Sequence, residues 1–254
     1  MDGDLDAELQ YSPSRWALRP LAEHLDRYRQ LSARHVGADL TRRGRPLLVY
    51  VHGGYWQELS AADSLFMVDD ALAAGMGVHA VEYRLAPAAT VADIVEECVR
   101  EVVTVIARVA PSRTVLAGSS AGAHLAAMVR ADPRVAGILD ATVLLSGIYD
   151  LRPLVGTSVN DALGFDDAAA AALSPALLPV VVGADDVLCA VAEHESDEFI
   201  RQNREYSARL AAAGSRVTTM VVPGRDHFDL PLDLVRPGTT VGDWVLTRAT
   251  EGTP

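Results

Sequence analysis

Short, uninterrupted apolar runs recur along this chain and alternate with amphipathic stretches. Leu47 to Val51 is the first such run. Five apolar residues with no polar position on either side mark a strand buried on both faces. Further strands are expected over Val78 to Tyr83, Thr114 to Ala117, Ala141 to Ser146, Val187 to Ala192 and Arg216 to Val222. Between them lie helical patterns. Ala61 to Ala74 ends at Gly75. Val91 to Ala110 has Thr90 as a candidate N-cap and Pro111 as a stop. Ala121 to Arg130 follows the third strand. Asp197 to Ala213 has Ser196 as cap and Gly214 as terminator. Leu18, Leu21, Leu25, Tyr28 and Leu31 set a helical spacing over Arg15 to Ser32, so the N-terminal segment 1–44 is expected to pack on the core as a helical arm, with a polar turn over Arg42 to Pro46. The Ala-rich stretch 150–178 reads as irregular, a loop with short helices over a pocket.

Strands that alternate with helices predict a mostly parallel sheet with helices on both faces, an α/β fold. The 254 residues suit a single domain of this kind. The formal charge is −12, which disfavours nucleic acid and anionic membranes as partners. All 22 basic residues are arginine. Without lysine there is no Schiff base, no Ser-Lys dyad and no P-loop. Cys98 and Cys189 lie within apolar runs, have no metal-like spacing, and read as buried free thiols. The acidic start has no leader-like apolar core, and no apolar stretch reaches the ~18–20 residues of a membrane span. The expectation is a cytoplasmic protein with no metal or cofactor.

Two motifs carry chemistry. Gly118-Ser119-Ser120-Ala121-Gly122 fits a G-x-S-x-G nucleophile elbow, placed between a strand and a helix. Ser120, the central residue, is the nucleophile expected there, and Ser119 is not. His52-Gly53-Gly54-Tyr55-Trp56 follows the first strand, where hydrolases of this kind build an oxyanion hole. The expected donors are the backbone N–H groups of Gly53, Gly54 and Ala121. His52 reads as a residue that holds its loop. In this motif set the triad runs serine, acid, histidine. Of the seven histidines, only His194 and His227 follow Ser120 at a useful distance. His227 lies just after the last strand and is the expected base. The acid expected on the loop after the preceding strand is Glu195. Asp185 or Asp186 competes if the strand lies earlier, but that choice leaves a following apolar run without a role.

Six stretches in order resemble one family, the α/β-hydrolase-type kynurenine formamidases. They are Tyr11 to Trp16, His52 to Trp56, Ser120 to Ala126, Ser146 to Leu151, Glu195 to Gln202, and Asp226-His227-Phe228. The match at Phe199 to Gln202 favours Glu195 as the acid. Family members often have histidine at the position of Ser119, and animal members have aspartate at that of Glu195. The resemblance implies hydrolysis of N-formyl-L-kynurenine to L-kynurenine and formate through a formyl-serine intermediate. It also implies an aryl-formamide pocket in which Tyr55 and Trp56 are candidate lining residues, and it is compatible with a homodimer. Competing readings on the same machinery are a carboxylesterase and an arylformamide hydrolase of secondary metabolism. A non-catalytic binding protein on a hydrolase scaffold is the alternative from another class.

Overall fold

In a computed structural model, residues 7–250 are described. Six strands form one sheet: β1 (Leu47–Val51), β2 (Gly77–Val81), β3 (Thr114–Ser119), β4 (Ala141–Leu145), β5 (Asp186–His194) and β6 (Arg216–Asp226). Their order is β2-β1-β3-β4-β5-β6, and every neighbouring pair is parallel. The alternation read from the sequence therefore gives the expected α/β sheet.

Strands β1, β3 and β4 are buried along their whole length because both faces are covered, whereas the edge strand β6 leaves much of its length exposed. Along β1, Leu47, Val49 and Val51 enter one core, whereas Leu48 and Tyr50 enter the other. The first core is closed by α3 (Val91–Val109), α4 (Ala121–Ala131) and α7 (Asp197–Ala212), through residues such as Ile94, Leu125 and Phe199. The second is closed by α1 (Leu21–Ser32), α2 (Val68–Ala73) and α8 (Thr240–Thr250), through Tyr28, Val68 and Val245. Two short helices, α5 (Asn160–Leu163) and α6 (Asp167–Ala172), occupy the 150–178 stretch.

Local chemistry sets the helix ends. Thr90 caps α3 in a reciprocal box with Asp93, and Ser196 accepts the Phe199 N–H at the start of α7. Some boundaries differ from the sequence reading. The helical arm begins at Leu21, after Pro20, and Leu18 is exposed. The pattern over 61–74 splits into a 3₁₀ turn, Ala62–Ser64, and the short α2. Strands β5 and β6 run past their apolar centres, with a register irregularity between Ala192 and His194. The helix α8 was not expected at all. No helix among the described residues is long and apolar enough to cross a membrane.

From β1 the chain turns to β2 on one side, then returns to place β3 on the other side of β1. Such a reversal opens a crevice at the C-terminal ends of β1 and β3. Gly53 and Gly54 leave β1 at that point, and Ser120 leaves β3.

Candidate active site

Ser120 sits between β3 and α4 with φ 56° and ψ −124°. A non-glycine residue in this region stores on the order of 1–3 kcal/mol, which the surroundings must hold. The Ser120 N–H donates to the Leu145 carbonyl at 2.8 Å, and its own carbonyl accepts from Ala123 and His124. The turn closes only because its flanking residues lack side chains. A Cβ at Gly118 would lie 2.1 Å from the Gly122 carbonyl oxygen, and one at Gly122 would lie 2.1 Å from that of Val51. The elbow is thus pressed against the end of β1, which delivers the glycine loop to the serine. A Cβ at Gly53 would lie 3.1 Å from that of Ser120. Ala121 opens the 11-residue helix α4, so its N–H lies at the positive end of the helix dipole.

The glycine loop is fixed from behind. Tyr83 donates its hydroxyl to the His52 carbonyl at 2.8 Å and stacks on the His52 ring at 4.1 Å. His52 is 1% exposed, and burial lowers its pKa to about 4, so it stays neutral at pH 7. It holds the loop, as its place before the glycines suggested. Gly54, at φ +96°, faces the Glu58 carbonyl, which a Cβ there would meet at 2.3 Å.

His227 follows β6 directly. Its Nδ1 lies 2.8 Å from Glu195 Oε1, and both residues are buried. A neutral imidazole donates from Nδ1 to that carboxylate and leaves Nε2 as an acceptor. Glu195 is held between the end of β5 and the Ser196 cap of α7. The competing acids serve elsewhere. Asp185 is buried in a two-pronged pair with Arg130, at 2.8 and 3.0 Å, and also accepts from Thr142. Asp186 starts β5 and pairs with Arg216. His194 is half-buried beside Glu193.

Sequence reasoning missed the clamp on the loop that carries His227. Asp226, 0% exposed, accepts the N–H groups of Leu18, Phe228 and Asp229 at 2.7, 2.9 and 2.7 Å. His24 Nε2 lies 3.2 Å from the same carboxylate. Tyr28 donates to the Phe228 carbonyl at 2.6 Å. Helix α1 therefore grips the loop that carries His227, a contact across some 200 residues of chain that no local pattern reveals.

Ser120 and His227 line one cavity of about 350 Å³, together with Ser119, Gly53 and Gly54. Its walls are rich in aromatic side chains: Tyr11, Tyr28, Tyr50, Tyr55, Phe66 and Phe228. Ser119 shares a 2.7 Å hydrogen bond with the Tyr50 hydroxyl. The 150–178 stretch contributes only Ser158 and Val159 to the wall. Tyr55 lines the cavity as expected, with its hydroxyl donated to the Tyr11 carbonyl. Trp56 does not. It is 0% exposed and packs in the core, edge-on to His124 at 5.1 Å. Tyr55 (φ 50°) and Trp56 (φ 60°) both have left-handed backbone, and their rings lie 6.3 Å apart, one on the cavity and the other in the core.

Residues 48–228 match a family described as having the alpha/beta hydrolase fold. The chain is 35% identical to a kynurenine formamidase from Danio rerio, over 91% of each chain. It is 38% identical to one from Salmo salar, over 80% of this chain and 71% of that one. Among solved structures, a Silicibacter chain superposes with a TM-score of 0.82 at 24% identity, covering 94% of this chain and 98% of that one. An esterase from Pyrobaculum calidifontis gives 0.70 at 18% identity, over 95% and 97%. These two share the fold. With this sheet, and with that degree of identity over most of its length, the chain belongs to the kynurenine formamidase family of α/β hydrolases.

Proposed function

We propose that the protein hydrolyses an aryl formamide, N-formyl-L-kynurenine foremost, to the free arylamine and formate. The pairing of His227 with Glu195 beside a cavity that also exposes Ser120 carries this reading. His227 Nε2 takes the Ser120 proton as the hydroxyl oxygen attacks the formyl carbon. The resulting oxyanion rests on the N–H groups of Gly53, Gly54 and Ala121, which are fixed in advance by the elbow and the Tyr83–His52 stack. Glu195 holds the imidazole in the tautomer that can accept a proton and stabilises the imidazolium that forms. The imidazolium then protonates the departing nitrogen, which leaves as a neutral arylamine. Water, deprotonated by the same histidine, releases formate from formyl-Ser120. A formyl group is the smallest acyl group, so the roomy aromatic walls are left for the aryl side.

Esters would be cleaved on the same machinery, and the structural likeness to esterases makes that the reading to exclude. Parallel kinetics on N-formyl-L-kynurenine and short p-nitrophenyl esters decide between them. A higher kcat/KM on the formamide, abolished in Ser120→Ala, is the expected result. A much higher kcat/KM on the ester contradicts the formamidase reading.

A further inference from the structure

The charged groups on the cavity wall have one sign. Besides His227, the ionisable non-phenolic residues that line it are Glu8 and Glu58. No arginine is among the described lining residues, and the chain has no lysine. Arg15, whose charge also favours the ionised form of Glu8, is not part of the wall. Glu8 has a fixed place. Its Oε2 accepts the Ser158 N–H at 2.7 Å, and its Oε1 accepts the Ser158 hydroxyl at 2.6 Å. Ser158 lines the same cavity, so the carboxylate bridges the N-terminal arm and the 150–178 stretch along one wall. Those two bonds, the hydroxyl one foremost, hold the Glu8 carboxyl below its usual range and keep it ionised. A carboxylate offers about four lone-pair positions. Ser158 takes two, and a positively charged donor in the cavity can take the others.

We propose that Glu8 is a specificity-determining residue that receives an ammonium group on the aryl side of the substrate, so that the enzyme favours aryl formamides bearing a cationic side chain over those bearing only a carboxylate. This rests on the formamidase reading and narrows it. A zwitterionic substrate would enter with its ammonium toward Glu8 and its carboxylate toward solvent. A substrate that carries only a carboxylate meets two like charges and no partner. Glu58, on the loop that also holds Gly54, adds to the same field.

The test uses three 2-acyl formanilides whose acyl chain ends in a primary ammonium, a neutral amide or a carboxylate. At low ionic strength the expected order of kcat/KM is ammonium, amide, carboxylate, with about fivefold between steps, mostly in KM. The spacing should shrink at 0.15 M salt, where screening sets in within about 8 Å. Glu8→Gln should cut kcat/KM for the ammonium compound about fivefold more than for the neutral amide. Equal rates for all three compounds, or a Glu8→Gln loss that is the same for charged and neutral compounds, overturns the proposal while the formamidase reading stands. Failure to hydrolyse any of the three overturns both.

Discussion

The contact between Gly122 and the end of β1 offers a sharp test of how the elbow and the glycine loop depend on each other. In Gly122→Ala the new methyl would lie 2.1 Å from the Val51 oxygen and 2.5 Å from the His52 oxygen. Carbon–oxygen contacts are comfortable from about 3.3 Å, so the elbow and β1 must part by about 1 Å. Neither neighbour is a side-chain end that can swing away, because both are backbone, in β1 and its exit loop. Overpacking of this kind costs about 1–3 kcal/mol. The larger effect falls on activity. Ser120 and the Gly53–Gly54 donors sit on the two sides of that contact, and a 1 Å misplacement of reacting groups costs on the order of 10²-fold. We therefore expect kcat/KM to fall about a hundredfold, with a drop of a few degrees in Tm. Gly137→Ala is the control. Its φ is +76°, nothing lies within 4 Å of a Cβ there, and it precedes β4 at the opposite end of the sheet. It should lose stability through backbone strain alone and keep full activity. A Gly122→Ala enzyme within threefold of wild type would refute the geometric argument.

Three other outcomes follow from the site. Glu195→Gln should lower kcat by about 10³–10⁴-fold, because an amide no longer enforces the reactive tautomer of His227; a loss under tenfold in steady-state kinetics would count against Glu195 as the orienting acid. Asp226→Asn turns an amide toward one of the N–H donors and removes the charge opposite His24, which should cost about 1–3 kcal/mol in thermal melts and lower kcat more than it raises KM; wild-type kcat would show that the clamp does not position the base. Burial holds His52 and His124 neutral, each with its pKa lowered from 6.5 to about 4. Between those values the unfolded chain binds protons that the native state does not, so stability is full above pH 6.5 and falls as pH drops toward 4. Tm should decline over that window, and a flat profile would contradict the burial of the two rings as neutral groups.

The parts of this site that were legible in the sequence are those set by local chain geometry. Gly118, Ser120 and Gly122 define a turn whose steric demands are written in five residues. Thr90 and Ser196 mark helix starts through their side-chain caps, and Gly75 marks a helix end through its left-handed backbone. The meeting of His227 and Glu195 was legible because each follows a strand. What was not legible depends on distant partners. The grip of His24 and Tyr28 on the Asp226 loop joins two ends of the chain. The aromatic wall gathers Tyr28 from α1, Tyr50 from β1 and Phe66 from the approach to α2, and each is also plausible as plain core. The burial of Trp56 beside the cavity-lining Tyr55 was not legible, because a loop gives no simple alternation of sides. The helix α8 did leave a signal in the spacing of Val241, Trp244, Val245 and Ala249, all of which are buried. Register irregularity near Ala192 likewise carried β5 on to the threshold of Glu195, past its apolar centre.

Covalent trapping at the elbow tests the central claim most directly. A fluorophosphonate should modify the wild-type enzyme once, and peptide mass spectrometry should place the adduct on Ser120. His227→Ala should slow the labelling sharply, and Ser120→Ala should abolish both labelling and formanilide hydrolysis. An adduct on Ser119 or elsewhere, or hydrolysis that survives in Ser120→Ala, would contradict the assignment of the nucleophile and the chemistry built on it.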